Sequence, residues 1–395
     1  MANKGALEGL KVLDLGRVIA APYAAAFLAD MGADVLKIEQ PGRGDDARAY
    51  LPLNGYFAVF NRSKRGITLN MRTEEGKKIF KELVKDVDVV IENFRPGVMK
   101  KMGLDYEELK KINPGLIYCA ISAFGQEGPY SQSAGYDPLI QAMTGINSIT
   151  GEPGGQGYRC GASFCDVMSA MNAAYGIVCA LQYRNKTGEG QMIDIAIADQ
   201  GLLAMSSTMQ FYLSERKIPQ KLGNGYAAGA PGNSYHAKDG EYMFAGSSDQ
   251  AWAKICNAWG KPELITDERF VDRTARTKNR DLVDKMMNDF GADKTAEECM
   301  NFFKGIGLAV GPVNDAKAIY ADPQFGKNGF RPMYTSVDYP GVGEIEITDQ
   351  PVKMSVTQPQ VRCAPPTLGQ DNAAVFGALG YTAEQLEELK NQGVI

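Results

Sequence analysis

The chain has 395 residues, of which 44% are hydrophobic and 23% charged, and its formal net charge is −5. These values are typical of a globular protein with a sizeable core. They argue against nucleic acid as the main partner, because strong binders need a concentrated basic surface. Seven scattered cysteines without a CxxC pair, and a single histidine, His236, argue against a disulfide framework, a metal site or a histidine-based triad.

No run of apolar residues reaches the length needed to span a bilayer, and the start of the chain lacks the apolar core of a signal peptide. We therefore expect a cytoplasmic protein with reduced thiols and no membrane partner.

Over the first two hundred residues, strand patterns alternate with helix patterns, which predicts an α/β fold with a parallel sheet covered on both faces. The predicted strands are 10–16, 33–39, 87–94, 115–125 and 190–199, and the main helices are 21–32 and 73–86. Near residue 215 a long Gly/Pro-rich run indicates a linker or loop. A hairpin and helices around 250–305 follow, which indicates a smaller second domain, and the tail of the chain contains a surface helix capped by Thr382.

The first strand–helix–strand unit, which ends at Glu39, has the layout of a dinucleotide-binding unit but lacks the glycine fingerprint. Its turn reads LGRVIAAPYAA, and Gly16 is the only glycine, so a pyrophosphate could not approach the backbone as it does at GxGxxG. This argues against a nicotinamide dehydrogenase. A purely structural unit stays open; the alternative is that RVIAAP forms an apolar ledge for an adenine ring or a pantetheine arm.

Two basic clusters lie close to predicted strand ends. The segment NRSKRG carries Arg62, Lys64 and Arg65. The segment ENFRPGVMKKMG carries Lys100 and Lys101. Each cluster is consistent with ordinary solvated charge or with a ligand that has several phosphate groups.

Asp166 lies at the start of a predicted helix in GASFCDVMSAMNAAYG. Ser163 and Asp166 fit the S-x-x-D pattern of a capping box, which is a structural role. The functional alternative uses the same place, because the helix dipole would keep a partly desolvated carboxylate ionised and able to attack a thioester carbonyl. Position alone does not choose between the two.

Six segments in a fixed order extend over essentially the whole chain. They are LEGLKVLDLGRVIAAPYAAAFLADMGADVLKIEQPGRGDDAR, FNRSKRGITLNM, DVVIENFRPGVMKKMGLDYEELKKINPGLIYCAISAFGQEGPY, GYDPLIQAMTG, GASFCDVMSAMNAAYGIVCAL and TGEGQMIDIAIADQ. With these blocks the sequence resembles the class III coenzyme A transferases, a family that includes formyl-CoA:oxalate and carnitine CoA-transferases.

The resemblance implies a Rossmann-like large α/β domain, an inserted smaller α+β domain, and a homodimer of two interlocked, ring-like chains. The expected boundaries are 1–205 for the N-terminal part of the large domain, 206–225 for a linker, and 226–325 for the small domain. Residues 326–395 would form the return linker and the C-terminal part of the large domain.

The resemblance also implies a covalent mechanism in which Asp166 attacks an acyl-CoA donor. A mixed anhydride and then an aspartyl-CoA thioester would form, and a second carboxylic acid would reverse the sequence. CoA and acyl-CoA are substrates in this scheme, and no tightly bound cofactor or metal is required. The CoA contacts implied by the family are Ile19, Ala20, Leu69, Asn70, Met71, Arg72, Asn93, Phe94, Arg95, Lys101, Ser122, Ala123, Phe124 and Gly125.

Two departures from the formyl-CoA:oxalate branch concern the substrates. Gln40 stands where that branch has an arginine, which weakens a phosphate contact there. GYAAGAPGNSY, in the lid region 223–235, keeps only scattered glycines of a four-glycine flap, which favours an acid other than oxalate. Gln126 and Glu127 are candidates for polarising the thioester or guiding the acid, and a simple turn role is the alternative.

Two other functions stay open. The α-methylacyl-CoA racemases resemble this chain, but they need a histidine base where Tyr136 stands, and a tyrosine of ordinary pKa is a poor substitute. A non-catalytic CoA-binding protein would keep the ledge and the basic clusters and would have no use for Asp166.

Overall fold

The structure is a computed structural model that describes residues 5–50 and 55–395. The chain divides into two compact units. The first comprises Met1–Ile146, Arg159–Glu215 and Asp322–Ile395, and the second comprises Asn147–Tyr158 and Arg216–Ala321. The short segment 147–158 was expected in the large domain, but it belongs to the second unit, where the Gly223 N–H donates to the Gly151 carbonyl at 2.9 Å.

A six-stranded, fully parallel sheet forms the centre of the first unit, with the strand order β3-β2-β1-β4-β5-β6. The strands are β1 (Lys11–Asp14), β2 (Asp34–Glu39), β3 (Arg65–Thr68), β4 (Val89–Glu92), β5 (Ile117–Ser122) and β6 (Gln191–Ala196). This order is that of doubly wound nucleotide-binding folds. The predicted α/β class and its parallel sheet are confirmed.

Helices cover both faces of this sheet, as its nearly continuous apolar strands require. The helices are α1 (Ala20–Asp30), α2 (Gly55–Asn61), α3 (Glu74–Val84), α4 (Val98–Met102), α5 (Tyr106–Leu109), α6 (Asp137–Met143), α8 (Phe164–Thr187), α9 (Ile197–Ala204), α10 (Ser206–Glu215), α16 (Asn372–Ala378) and α17 (Ala383–Asn391). One core joins apolar strand residues to α3 through Phe80 and to the C-terminal helices through Phe376 and Leu389. On the other face α1 and α8 pack together.

Several local predictions are confirmed and two need correction. Thr73 caps α3 and Thr382 caps α17, each through a side-chain oxygen that accepts a backbone N–H. The last predicted strand stops at Ala196, and α9 begins directly after it. The first half of the expected linker 206–225 is the helix α10, since residues 206–215 continue the helical run after α9.

The prediction that no segment is long and apolar enough to span a bilayer is wrong for α8. By length and composition alone this helix of 24 residues could cross a membrane. One face of α8 is buried in the first unit through small and apolar side chains, which is typical of a core helix: Cys165, Ser169, Ala170, Ala173, Ile177, Ala180 and Leu181. Its opposite face exposes Met171, Tyr175 and Val178.

The second unit contains a three-stranded antiparallel sheet and several helices around an aromatic core. Its strands are β7 (Gly232–Ala237), β8 (Gly240–Ala245) and β9 (Ala309–Pro312), and its helices are α7 (Ile146–Ile149, which starts at the boundary), α11 (Asp249–Ala258), α12 (Arg273–Lys278), α13 (Arg280–Gly291), α14 (Ala296–Gly305) and α15 (Ala316–Ala321). The predicted hairpin is therefore present as β7 and β8. A second hairpin, β10 (Tyr334–Tyr339) with β11 (Gly343–Thr348), belongs to the first unit.

Candidate active site

A cleft of about 690 Å³ opens at the carboxyl ends of the parallel strands. Residues that follow each strand line it, among them Gly16, Gln40, Leu69, Asn93, Ala123 and Ile197. The cleft includes the point between β1 and β4 where the strand order reverses, which is where open α/β sheets bind ligands. Asn93 bridges the two loops there: its Oδ1 accepts the Arg17 N–H, and its Nδ2 donates to the Arg17 carbonyl, both at 2.8 Å.

The turn after β1 is tightly folded over buried charges. Val18 has φ 67°, and a Cβ on Gly16 would lie 2.6 Å from the Cβ of Ala21, so only glycine fits there. Asp14 is fully buried; its Oδ1 accepts the Gly16 N–H at 2.8 Å and its Oδ2 receives the Lys64 ammonium at 2.7 Å. The shape of the apolar ledge therefore depends on this ion pair.

A second carboxylate holds the other side of the same turn. Asp45 Oδ1 accepts the N–H groups of Val18 and Ala47 at 3.0 Å, and the buried Lys37 ammonium lies 3.1 Å from Asp45 Oδ2. Burial alone would raise the pKa of Asp45, but Lys37 and these N–H groups outweigh it and lower the pKa. Asp45 therefore stays ionised and structural.

Glu39, the acid that ends β2, is already engaged. It binds the Arg48 guanidinium through both oxygens, at 2.6 and 2.9 Å, and accepts the Asp45 N–H at 2.8 Å. A carboxylate with these partners is not available to a nucleotide ribose, which agrees with the absence of the glycine fingerprint.

Apart from the exposed Arg65, the first basic cluster is neither solvated charge nor a phosphate site. Arg62 is buried and pairs with Asp30 at 2.8 Å, and Lys64 is buried against Asp14. Only Arg65 is exposed, where it pairs with Asp34 at 2.7 Å. Both readings of this cluster are corrected, because its cations neutralise acids of β1, α1 and β2.

Other guanidinium groups do reach the cleft. Arg17 and Arg43 share the carboxylate of Asp46, at 2.5 and 3.1 Å. Arg72 and Arg95 also line the cleft, and within residues 5–50 and 55–395 neither forms an ion pair. Unpaired guanidiniums beside an apolar ledge suit a ligand with phosphate groups and an apolar arm.

Asp166 lies in the first turn of α8 and lines the cleft. The predicted capping box is absent: the Ser163 side chain makes no capping bond. Asp137 Oδ2 takes that role and accepts the N–H groups of Cys165 at 2.8 Å and Asp166 at 3.3 Å. Asp137 is only 2% exposed and comes from the start of α6, so the cap is supplied across 28 residues of sequence.

The expectation that the helix start keeps Asp166 ionised is also corrected. Burial, and next the negative charge of Asp137, raise the pKa of Asp166 from 3.8 to about 7. Near neutral pH the carboxyl is therefore divided between its protonated and ionised forms. A carboxylate this basic is a stronger nucleophile than a solvated aspartate.

The cleft brings together most of the predicted site residues: Ile19, Ala20, Leu69, Met71, Arg72, Asn93, Phe94, Arg95, Ser122, Ala123 and Asp166. The remaining four lie outside its lining: Asn70, Lys101, Phe124 and Gly125. Asn70 instead donates to the Gly393 carbonyl at 3.3 Å, and Phe124 packs on Tyr130.

Sequence reasoning missed Arg17, Arg43, Asp46 and Asp137 as parts of this region. The Asp137–Pro138 pair is a local signal for a helix start, and α6 does begin there with the proline in its first turn. Nothing local shows that the side chain caps a different helix.

Histidine and metal chemistry find little support in the described residues. His236 is exposed on β7, with its Nδ1 3.4 Å from Glu241 Oε1. No cluster of three or more His, Cys, Asp or Glu side chains suited to a metal ion occurs in residues 5–50 and 55–395.

Comparisons with known proteins agree with this site. Residues 7–372 match the model of CoA-transferase family III. The chain is 36% identical to succinyl-CoA–D-citramalate CoA-transferase of Chloroflexus aurantiacus, over 98% of both chains. It is also 36% identical to acetyl-CoA:oxalate CoA-transferase of Acetobacter aceti, over 94% of this chain and 95% of that one.

A crystal structure of a CaiB/BaiF family protein from Brucella suis superposes with a TM-score of 0.83 and 37% identity, covering 95% of this chain and 100% of the other. The match over nearly the whole length, together with a carboxylate and unpaired guanidiniums in one cleft, leads to a single assignment: the chain belongs to CoA-transferase family III and is a transferase acting on CoA thioesters.

Proposed function

We propose that this enzyme moves CoA from an acyl-CoA donor to a free carboxylic acid through covalent intermediates on Asp166. The observation that carries the proposal is Asp166 itself, a carboxylate with a pKa of about 7 that lines a cleft with an apolar ledge and unpaired arginines. The residue is nucleophilic near neutral pH and needs no separate base.

The steps balance without a cofactor or an external reductant. An Asp166 oxygen attacks the acyl carbon, the C–S bond breaks, and the CoA thiolate leaves a mixed anhydride. The thiolate then attacks the Asp166 carbonyl carbon, which releases the donor as a carboxylate and leaves an aspartyl-CoA thioester. The acceptor carboxylate repeats both steps in reverse, so that Asp166 is regenerated and the new acyl-CoA leaves.

The cleft offers separate surfaces for the parts of CoA. Ile19 and Ala20 form the buried apolar ledge, suited to the adenine ring or the pantetheine arm. Arg72 and Arg95 suit the phosphates, because a guanidinium without a protein partner binds phosphate through two parallel hydrogen bonds. Asn93 fixes the loops that lie between these surfaces.

We assign a dicarboxylic acid as the acceptor. The support comes from the two relatives above, whose names specify D-citramalate and oxalate, acids with two carboxylates each. The scattered glycines of region 223–235, which lack the four-glycine run of the formyl-CoA:oxalate branch, favour an acid other than oxalate.

The apolar outer face of α8 supports a homodimer, in the interlocked arrangement that the family resemblance implies. Met171, Tyr175 and Val178 are exposed there, together with Leu202 and Leu203 on α9. Large apolar side chains that are exposed together on neighbouring helices are typical of an interaction surface. We assign this face to a second copy of the chain and not to a bilayer. Light scattering with and without detergent measures whether the protein is a dimer. A monomer that floats with lipid vesicles would contradict the assignment.

The remaining expectations concern the cellular compartment and the cofactor. All seven cysteines are free, which supports a reducing compartment such as the cytoplasm. The proposed chemistry requires no tightly bound cofactor.

The deciding experiment combines a substrate panel with trapping. Succinyl-CoA and acetyl-CoA serve as donors, oxalate, succinate, glutarate and citramalate as acceptors, and monocarboxylic acids of matched length as comparators. Borohydride or hydroxylamine added during turnover should modify Asp166, located by peptide mass spectrometry, and dicarboxylates should be preferred. If turnover proceeds while no donor labels Asp166, the covalent mechanism fails.

A further inference from the structure

Asp137 uses both carboxylate oxygens to hold the backbone that carries Asp166. Its Oδ2 accepts the N–H groups of Cys165 and Asp166, and its Oδ1 accepts the Gln141 side-chain amide at 2.5 Å. The side chain is buried, so these bonds do not compete with water. The direction of the Asp166 side chain therefore depends on a residue of another helix.

Gln141 extends this support along the chain. Its Oε1 accepts the Cys160 N–H at 2.8 Å, and its Nε2 lies 3.3 Å from the Ala162 carbonyl. Gln141 is fully buried and sits one turn after Asp137 on α6. The pair fixes both the approach to α8 and its first N–H groups.

Asp137 also brings a negative charge that no cation neutralises. Among the described residues no lysine or arginine forms an ion pair with it, in contrast to buried Asp14, Asp30 and Asp45. Two carboxylates act on each other in a region of low polarity, and this repulsion disappears when one of them becomes an uncharged ester-like group.

We propose that Asp137 is a positioning residue for Asp166, which fixes its backbone and, through its charge, favours the uncharged acylated form of Asp166 over the free carboxylate. The inference rests on the proposed covalent role of Asp166. When an Asp166 oxygen bonds to the acyl carbon and the thiolate departs, the negative charge leaves the side chain and moves to the sulfur. Asp137 thus raises both the nucleophilicity of Asp166 and the occupancy of its covalent adducts.

The other titratable groups near Asp166 do not supply this effect. Burial raises the pKa of Cys165, on the same helix, and of Tyr56, on α2, to about 12, so both are neutral below pH 9. The acids on the remaining elements packed on α8 are Asp30 on α1, Asp194 on β6 and Asp199 on α9, and only Asp137 acts as a charge on Asp166. In the cleft, Arg17 and Asp46 pair with each other, and Asp45 pairs with Lys37.

The test compares Asp137→Asn with Asp86→Asn. Asparagine keeps an oxygen for the two N–H groups of α8 and removes the charge. Asp86 is an exposed carboxylate just before the amino end of β4, whereas the cleft lies at the carboxyl ends of the strands. It serves as the matched control. The readouts are the fraction of Asp166 trapped by borohydride at a fixed acyl-CoA concentration and the pH profile of kcat/KM.

Asp137→Asn should lower the trapped fraction roughly threefold to tenfold and move the acid limb of kcat/KM to lower pH by roughly half a unit or more, with KM for acyl-CoA within about twofold. Gln141→Met should lower kcat without moving the limb, because the charge stays. An unchanged limb and an unchanged trapped fraction in folded Asp137→Asn would overturn the inference. If the unaltered enzyme traps no adduct at all, it is the proposed function that fails.

A carboxyl ¹³C titration of the unaltered enzyme can overturn the inference even if Asp137→Asn does not fold. The Asp166 signal, identified by its loss in Asp166→Asn, should titrate near neutral pH. A midpoint near that of a solvated aspartate contradicts the charge effect and overturns the inference.

Discussion

Two groups of buried carboxylates in the first unit have opposite electrostatic surroundings. Asp14 and Asp45 each face an ammonium group, that of Lys64 and that of Lys37. Asp137 and Asp166 face each other, and the pKa of Asp166 is about 7. The first group, where the charges are paired, therefore yields a rigid turn, and the half-buried Asp166 beside the unpaired Asp137 yields a reactive carboxyl.

The largest expected effect comes from removing the reactive carboxyl. Asp166→Asn and Asp166→Ala should lower the initial rate of CoA transfer by at least about a thousandfold, because the proposed mechanism places every covalent step on this carboxyl. Chromatography of the acyl-CoA products measures this, with Asp86→Asn as the control at full activity. If Asp166→Asn keeps more than about a tenth of the rate, the enzyme does not use a covalent adduct there.

In the group with paired charges, removing the Lys64 cation breaks its ion pair with Asp14. Lys64→Met leaves buried Asp14 with only the more distant Lys37 ammonium, at 3.9 Å, and should lower the free energy of unfolding by an amount towards the lower end of roughly 3–5 kcal/mol. Arg65→Met, one residue later, breaks the exposed pair with Asp34 and should cost less than about 1 kcal/mol. Urea unfolding measures both; equal losses for the two variants would show that burial of the ion pair is not what stabilises the turn.

The unpaired arginines of the cleft give a smaller, ligand-dependent effect. Arg72→Ala and Arg95→Ala should each raise KM for acyl-CoA about tenfold and leave kcat within about threefold, because in the proposed function they bind phosphates away from the reacting carbon. Lys78→Ala, which removes an exposed cation of α3 paired with Glu75, is the matched control. A loss confined to kcat would place these arginines at the chemical step instead.

The two groups also differ in how far the sequence reveals them. The α/β class, the parallel strands and the helix caps at Thr73 and Thr382 follow from local patterns and short spacings, and the structure confirms them. Asp166 was singled out by its place at a helix start and by the family resemblance, and it does line the cleft.

The partners of these carboxylates were not predictable, because each lies far along the chain. Lys64 lies 50 residues from Asp14, and Asp137 lies 28 residues from the N–H that it caps in α8. The local sequence shows a basic residue at Lys64 and a possible helix cap at Ser163. Only tertiary packing decides that the lysine is buried against Asp14, and that Asp137 instead of Ser163 caps α8. The pKa of Asp166 was misjudged for the same reason, since its burial, and next its like-charged neighbour from another helix, both arise from tertiary packing.

The smallest effect is a stability change whose pH dependence has a definite sign. The folded protein raises the pKa of Asp166 from 3.8 to about 7, so folding favours the protonated carboxyl. Its contribution to stability is fully present below about pH 4 and is lost as the pH rises through about 7. Asp166→Asn, which has no charge to lose, should therefore be more stable than the unaltered enzyme at pH 8, on the order of 1 kcal/mol or roughly 2–4 °C in Tm, and this gap should shrink towards pH 5.

Thermal unfolding at the two pH values measures this gap, with Asp86→Asn as the reference for removing a surface carboxylate that pairs with Lys11. If the difference in Tm is the same at both pH values, or favours the unaltered enzyme at pH 8, then the Asp166 carboxylate is either solvated or paired with a cation, as Asp45 is. The expected result links the two groups: an unpaired carboxylate lowers stability at the pH where it is nucleophilic, whereas the paired carboxylates stabilise the turn that shapes the ledge.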